Sequence, residues 1–231
     1  SNMYHSKIIK KMKFSLSDNL KYKEKSGDKN KIHFDYSVAK NFFFKKPIVH
    51  GCNILAHCFN YYFKKDKYIN FKLINVKFVN YLQINEKISV VYRKNSFIVN
   101  AKNNIILECF FKSESLKTTN YPEKLKLNKF LRNISKYIGS KNPGNGSIII
   151  SLKINKKKSD TKSRTLRRIT KYLKLIFISD GNYVSEIYCS KIKVFKNKIN
   201  SIKIKKYKKE FKQILKNKKI LIFGSSGNLG N

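Results

Sequence analysis

The sequence lacks an apolar run approaching the ~18 residues that span a membrane, and it shows no signal peptide. It has few cysteines, and no C-x-x-C pair occurs among Cys52, Cys58, Cys109 and Cys189. Because its cysteines and histidines are not at zinc-ligand spacings, we predict no bound metal. The unpaired thiols favour a reducing, cytoplasmic location, and we expect no membrane partner.

Acidic side chains and arginine are scarce, whereas lysine is abundant. Lysine and arginine total 52 residues against 13 acidic ones, so the formal net charge is +39. This charge would ordinarily suggest a nucleic-acid partner. Only five of these residues are arginine, however, and nucleic-acid sites depend on arginine for bidentate and stacked contacts. The lysines are dispersed, so we predict no nucleic-acid partner, although the field would attract an anionic coenzyme A.

Residues of catalytic character are concentrated between Ser26 and Gly51. Gly27 and Asp28 follow Ser26 in a turn-prone triplet, and His33 lies five residues beyond Asp28. An imidazole can take or give a proton at neutral pH, and a nearby carboxylate can orient it or share a water with it. This loop therefore predicts a carboxylate and an imidazole that together activate water.

The end of this stretch leads into a predicted helix. Pro47 to Gly51 precede a run with helical spacing, whose apolar face consists of Ile54, Leu55, Cys58, Phe59 and Tyr62. Gly51 then lies at the helix N-terminus, where backbone N–H groups have no intrahelical acceptor and the helix dipole favours negative charge. A developing oxyanion can bind there. Cys52 is either a nucleophile beside His50 or a small buried apolar residue.

These residues resemble the MaoC-like (R)-specific enoyl-CoA hydratases of hot-dog fold. The family motif is matched by Ser26-Gly27-Asp28-Lys29-Asn30-Lys31-Ile32-His33 with Ala39, and by Pro47-Ile48-Val49-His50-Gly51. Lys31 departs from the family, which has proline there. The resemblance implies that Asp28 and His33 hold the water and that the Gly51 N–H polarises the thioester carbonyl. It also suggests Asn30 and His50 as substrate-binding residues.

The order of the predicted elements indicates an α+β fold. An opening strand and short helix over 7–22 precede the motif loop, which is Ser26 to His33. Asp35 is expected to cap a short helix. The helix over 51–63 is followed by strands near 71–78, 88–92, 96–101 and 105–111. A helix followed by an antiparallel meander is typical of a hot-dog unit. Phe42, Phe43 and Phe44 either pack in the core or form the wall of an acyl pocket.

The second half of the chain repeats this plan. A polar linker at 113–124 precedes a predicted helix that Gly139 is expected to end, a turn at 142–146, and strands near 148–154, 169–179 and 183–195. Arg167 and Arg168 either meet a coenzyme A phosphate or lie on a solvated strand edge. We therefore predict a double hot dog, with an antiparallel sheet wrapped around a central helix in an active unit at 3–115 and in an inactive one at 116–197.

The last segment, 198–231, is predicted to contain a linker helix and then an apolar strand followed by three spaced glycines: Gly224, Gly227 and Gly230. This resembles the opening of short-chain dehydrogenase/reductases. It implies a truncated dinucleotide-binding domain that would bind NAD(P), with no cofactor for the fragment itself.

Three functions remain open at this point. The first is a hydro-lyase that acts on acyl-coenzyme A or acyl-carrier-protein thioesters, for which a homodimer is one open assembly. The second is a non-catalytic acyl-thioester-binding or scaffolding hot dog fused to a reductase, which the Lys31 departure favours. The third is a nucleic-acid binder, which requires a continuous basic surface interleaved with exposed aromatic side chains.

Overall fold

The computed structural model describes residues 8–115, 123–157 and 162–192, all of which fall within one compact unit extending to Phe195. A membrane-spanning helix is absent from these ranges. In chain order the elements are β1 (Ile8–Lys13), α1 (Leu16–Ser26), a 3-10 turn (Lys31–His33), α2 (Tyr36–Ala39), α3 (Gly51–Lys65), β2 (Ile69–Phe78), β3 (Lys87–Tyr92), β4 (Ser96–Ala101), β5 (Asn104–Ser115), α4 (Glu123–Ser140), β6 (Ser147–Lys156), β7 (Arg164–Arg168), β8 (Leu173–Ser179) and β9 (Tyr183–Lys191).

The strands form one antiparallel sheet in the order β1-β3-β4-β5-β2-β6-β9-β8-β7. This confirms the α+β class. β2 pairs with β5 on one side and with β6 on the other, so the predicted units at 3–115 and 116–197 share a single sheet. The double hot-dog interpretation of these two halves remains a prediction.

The helices of the first half begin and end where the sequence supplies the local chemistry. Ser15 caps α1 through a reciprocal capping box with Asp18, and Gly27 ends it at φ 73°, a left-handed conformation that glycine adopts without strain. Asp35 caps α2 by accepting hydrogen bonds from two backbone N–H groups, as predicted. The motif loop is therefore fixed at both ends by helix caps.

The core lies on the face of the sheet that carries the helices. Buried and more exposed residues alternate along the central strands, and α3 packs against both β2 and α4. Phe59 of α3 is fully buried and its ring contacts those of Phe71, Phe97 and Phe111 at 4.8–5.9 Å. Burying each such ring stabilises the fold by roughly 1.5–3 kcal/mol. The four cysteines are buried and unpaired.

One prediction for the second half is wrong, and another is confirmed only in part. Gly139 is not a left-handed helix cap, because α4 continues to Ser140 and Gly139 keeps a helical conformation. The strand expected near 169–179 is β8, which begins later, at Leu173, and an additional strand, β7, precedes it across a turn around Thr170. β7 is an edge strand with an exposed, charged sequence, so it has no apolar alternation to indicate it. Arg167 and Arg168 are exposed on that edge.

The predicted segment 198–231, which includes Gly224, Gly227 and Gly230, lies outside the described residues. The dinucleotide motif and its NAD(P) cofactor therefore stay predictions.

Candidate active site

The loop that follows α1 brings Asp28 and His33 together in the interior. Asp28 is 2% exposed and His33 8% exposed. With His50, they place one carboxylate oxygen and two ring nitrogens within 4.8 Å of one another. The spacing of five residues in the sequence therefore corresponds to a real convergence, and it includes a second imidazole beside the first.

The Asp28 carboxylate is held by donors from both halves of the chain. Its Oδ1 accepts a hydrogen bond of 2.9 Å from the Asn30 N–H, and its Oδ2 accepts one of 2.6 Å from the Ser135 hydroxyl of α4. One turn further along α4, a Cβ on Gly139 would lie 1.9 Å from Asp28 Oδ1. Only glycine leaves room for the carboxylate at that point.

The sequence does not predict Ser135 and Gly139 as site residues, because it indicates an inactive partner in the second half. Gly139 did carry one signal, since a glycine within an apolar helical pattern often marks a close approach. Ser135 carried none.

The loop is also fixed to the turn that precedes β6. The side-chain amide of Asn30 donates a hydrogen bond of 2.9 Å to the Ser147 carbonyl. It also accepts a hydrogen bond of 2.9 Å from the N–H of Gly146, which has φ 81°. The Lys31 N–H donates 2.8 Å to Asn145 Oδ1. Proline at this position would lack that N–H. Asn30 therefore has a positioning role, and its predicted role in substrate binding stays a prediction.

His33 is fixed as a neutral imidazole with a defined tautomer. Its Nδ1–H donates 2.9 Å to the Ile48 carbonyl, which can only accept, so Nε2 is the unprotonated nitrogen. Burial holds the pKa of His33 below its ordinary value, although the nearby Asp28 carboxylate and the bond to Ile48 act in the opposite direction. His33 is therefore neutral at pH 7 and can take a proton at Nε2.

His50 lies between two aromatic rings. Its ring stacks on that of His33 at 3.8 Å, and the ring of Tyr22 lies 4.8 Å away. Its Nε2 is 3.9 Å from Asp28 Oδ2, too long for a hydrogen bond. Burial and the neighbouring His33 hold the pKa of His50 well below its ordinary value, so the contact is not an ion pair at neutral pH.

The three groups are of the types that bind divalent cations, but their arrangement does not suit one ion. The rings of His33 and His50 are inclined by only 26°. Their planes therefore meet much farther away than a metal–nitrogen bond of ~2 Å, and the lone pairs cannot both point at one ion. The absence of a metal from this site stays a prediction.

The N-terminus of α3 points at the same space. Pro47 and Val49 are held against the β2–β3 connection by hydrogen bonds to Ile84 and Leu82, of 3.1 and 2.7 Å. His50 is the N-cap residue, but its side chain makes no capping bond, and α3 begins at Gly51 as predicted. The Gly51 and Cys52 N–H groups have no intrahelical acceptor and favour an anion, whereas the Asn53 N–H donates to the His50 carbonyl at 3.0 Å. A Cβ on Gly51 would lie 2.6 Å from the Phe78 ring.

These groups line one cavity of about 230 Å³. One part of the lining is polar and contains Asp28, Asn30, His33, His50, Ser135 and the start of α3. The other part is apolar and contains Phe43, Phe44, Ile54, Phe78, Tyr81, Leu82, Ile106 and Ile148. Such a cavity suits a ligand with a polar reacting end and an apolar chain.

The sequence left two roles open for Phe42, Phe43 and Phe44, core packing or the wall of an acyl pocket, and two for Cys52, a nucleophile or a buried apolar residue. Phe42 and Phe44 pack together in a small core cluster. Phe44 and Phe43 also line the cavity, and Phe43 is 47% exposed at its edge. Cys52 also lines the cavity, but burial and the Asp28 carboxylate raise the pKa of its thiol far above the ordinary value. It is therefore a buried apolar residue and not a nucleophile.

Residues 5–107 match the family model described as MaoC like domain, a range that contains the motif loop and α3 but ends before α4. This range, which is less than half of the chain, is therefore similar to MaoC-like domains. No curated protein sequence matched.

Three solved structures illustrate the structural similarities. The (R)-hydratase from A. caviae involved in PHA biosynthesis is 14% identical, covering 50% of this chain and 98% of its own, with a TM-score of 0.42. HtdX of Mycobacterium tuberculosis is 6% identical, covering 79% of this chain and 99% of its own, with a TM-score of 0.49. A putative oleoyl thioesterase from Lactobacillus plantarum is 6% identical, covering 82% of this chain and 97% of its own, with a TM-score of 0.40.

Proposed function

We propose that this chain, through the MaoC-like domain matched at residues 5–107, reversibly hydrates 2-enoyl thioesters to (R)-3-hydroxyacyl thioesters. One observation carries the proposal: the Asp28 carboxylate and the His33 imidazole converge in a cavity that also contains the free N-terminus of α3. A hydratase needs these three parts, because it must hold a water, take its proton and stabilise the enolate oxygen.

The proposed roles follow from the geometry. Asp28 and His33 hold the water beside C3 of the enoyl group, and His33 Nε2 is free to accept a proton because Nδ1 donates to Ile48. The thioester oxygen lies at the Gly51 N–H, which stabilises the charge that develops as water adds. The acyl chain extends along the apolar part of the cavity.

We interpret the two halves of the sheet as a double hot dog in which the second half has lost the Asp and His pair. Its α4 still contributes Ser135 and Gly139, both of which contact the Asp28 region. The thioester carrier is coenzyme A or an acyl carrier protein, and the proposed location is the cytoplasm.

A hydration assay with crotonyl-CoA, followed by a panel of longer enoyl-CoA substrates, tests the function. We expect turnover by the wild type and its loss in Asp28→Asn and His33→Ala, each with an unchanged circular dichroism spectrum, because each removes a group that holds the water. His57→Gln is the matched control, since His57 lies on α3 but does not line the cavity. Near-normal turnover in either site variant would remove the mechanism.

The alternative is a non-catalytic acyl-thioester-binding domain, which the replacement of the family's proline by Lys31 favours. Tight binding of crotonyl-CoA by the wild type without turnover on any substrate of the panel would support this alternative.

A further inference from the structure

We infer that His50 is a further catalytic residue of this site, whose Nε2 accepts the second hydrogen bond of the attacking water, and that Asn19 is the positioning residue that sets the His50 tautomer. The inference rests on the proposed hydratase function. It concerns how the water is oriented, which Asp28 and His33 alone do not explain.

Asn19 of α1 is fully buried, and its side-chain orientation is fixed by its partners. Its Nδ2 donates to two carbonyls, that of His33 at 2.7 Å and that of Ile48 at 3.0 Å. Carbonyl oxygens only accept, so the amide nitrogen must face them and Oδ1 must face the other way. Asn19 Oδ1 lies 3.4 Å from His50 Nδ1.

This arrangement sets the tautomer of His50. Because Asn19 Oδ1 only accepts, the proton of a neutral His50 must be on Nδ1, and Nε2 is left with a lone pair. His50 is neutral here, since burial and the neighbouring His33 keep its pKa well below the ordinary range. Both histidines therefore present an unprotonated Nε2, each fixed by a carbonyl oxygen behind the ring.

His50 Nε2 has no hydrogen-bond partner among the described residues, although the residue is 1% exposed. Leaving a buried acceptor unsatisfied costs free energy, so such an atom is expected to bind a donor. The nearest charged group, Asp28 Oδ2 at 3.9 Å, is itself an acceptor. Since His50 lines the cavity and no described residue supplies a donor, we expect the donor to be a molecule bound there.

One water fits between these acceptors. Two hydrogen bonds of about 2.8 Å from a single water span roughly 4–4.5 Å between the acceptor atoms. One carboxylate oxygen and one ring nitrogen of each histidine lie within 4.8 Å of one another, and His50 Nε2 is 3.9 Å from Asp28 Oδ2. One O–H is directed at His33 Nε2, which takes the proton, and the other is shared by His50 Nε2 and Asp28 Oδ2. A lone pair of the water is then directed into the cavity toward C3.

The kinetic test compares two substitutions at His50. His50→Phe retains an aromatic ring between His33 and Tyr22 but removes the acceptor, whereas the amide oxygen of His50→Gln can accept a hydrogen bond. We expect kcat for crotonyl-CoA hydration to fall about 10- to 100-fold in His50→Phe, with KM within about twofold, and to recover partly in His50→Gln. His57→Phe is the control for loss of an imidazole.

Equal losses in His50→Phe and His50→Gln, or wild-type kcat in His50→Phe, would overturn the inference while leaving the hydratase function intact. Absence of turnover in the wild type would overturn both.

The tautomer is tested without activity, by ¹⁵N NMR of histidine-labelled protein at pH 7.5. We expect His50 to carry its proton on Nδ1 in the wild type, and Asn19→Ser, which shortens the acceptor, to weaken that preference. A wild-type His50 protonated on Nε2 would contradict the inference, whatever the kinetics show.

Discussion

Gly139 leaves room for the Asp28 carboxylate because it has no side chain. We expect Gly139→Ala to lower kcat by at least 10²-fold, because the new methyl group would lie 1.9 Å from Asp28 Oδ1 and must displace a carboxylate that Asn30 and Ser135 hold in place. Overpacking of this kind also costs about 1–3 kcal/mol of stability. Steady-state kinetics and thermal unfolding measure the two effects.

Lys124→Ala, at an exposed position of the same helix, is the control for placing alanine in α4. Wild-type kinetics in Gly139→Ala would show that Asp28 is not held as described.

The two buried histidines make stability depend on pH. His33 and His50 have pKa values below the ordinary one in the folded chain, so the unfolded chain binds more protons as the pH falls below about 6.5. The free energy of unfolding therefore decreases on acidification, by up to about 1.4 kcal/mol per pH unit for each histidine. The Asp28 carboxylate beside them reduces this slope for His33.

Urea unfolding between pH 5 and 7.5 measures this slope, because carboxylates such as Asp18, whose pKa is lowered by its hydrogen bonds to Ser15, titrate below that range. We expect the pH dependence of the free energy of unfolding to be about half as steep in His50→Phe as in the wild type. A flat stability profile in the wild type would show that the imidazoles are accessible to protons in the folded state.

At the scale of single residues, the sequence predicts the reacting groups of the candidate site, but it does not predict the residues that hold them in position. Asp28, His33 and Gly51 belong to one short stretch with matched motif spacing. Asn19 and Ser135 come from other helices, and their roles depend on which atoms lie beside them after folding. A sequence pattern carries no information on that proximity, so a polar residue in a helix was not distinguishable from a solvated one.

At the scale of elements, α4 is the support on which the motif loop rests. Its first residue, Glu123, is buried, forms an ion pair with Lys156 of β6 at 2.8 Å, and accepts a hydrogen bond from the Tyr183 hydroxyl of β9. At its other end, the Ser140 hydroxyl accepts from the Lys29 N–H at 2.7 Å. The second half of the sheet therefore fixes the position of Asp28 through this helix.

The contact between the motif loop and the turn before β6 gives a prediction about Lys31. Asn145→Ala removes the acceptor of the Lys31 N–H, and we expect it to cost about 0.5–1.5 kcal/mol of stability and to lower kcat severalfold. Lys31→Pro in the Asn145→Ala background should restore part of both, because proline fixes φ and needs no acceptor. Asn30, with ψ 106°, already has the extended conformation that precedes proline.

Thermal unfolding and kinetics of the two single variants and the double variant complete the cycle. Additive losses in the double variant would show that the hydrogen bond does not substitute for proline in holding the loop.

Elements were predictable where burial imposes a period. The strands from β2 to β6 and the helices α3 and α4 carry alternating or helical apolar patterns, and the structure confirms them within a few residues. β7 has an exposed pattern because it has a neighbour on one side only, so neither periodicity nor composition separates it from a loop.

At the scale of the whole molecule, the ends of the sheet are protected by charge. β1 and β7 are the edge strands of the described sheet, and they carry lysines and arginines that discourage pairing with another chain: Lys10, Lys11, Lys13, Arg164, Arg167 and Arg168. The predicted homodimer, if it forms, is therefore not expected to extend the sheet edge to edge.

The net charge of +39 gives a final prediction about substrate capture. A field of this sign accelerates the encounter with an anionic thioester, and salt removes the effect because the screening length falls from about 10 Å at 0.1 M to 3 Å at 1 M. We expect kcat/KM for crotonyl-CoA to fall at least about tenfold between 0.05 and 0.5 M NaCl, while kcat stays constant, because the buried reacting groups are little screened.

Crotonyl-pantetheine, which lacks the phosphates, is the matched control, and its kcat/KM should change less than about twofold. Equal salt sensitivity of the two substrates would mean that salt acts on the fold or the site, and that the surface charge does not contribute to capture of the carrier.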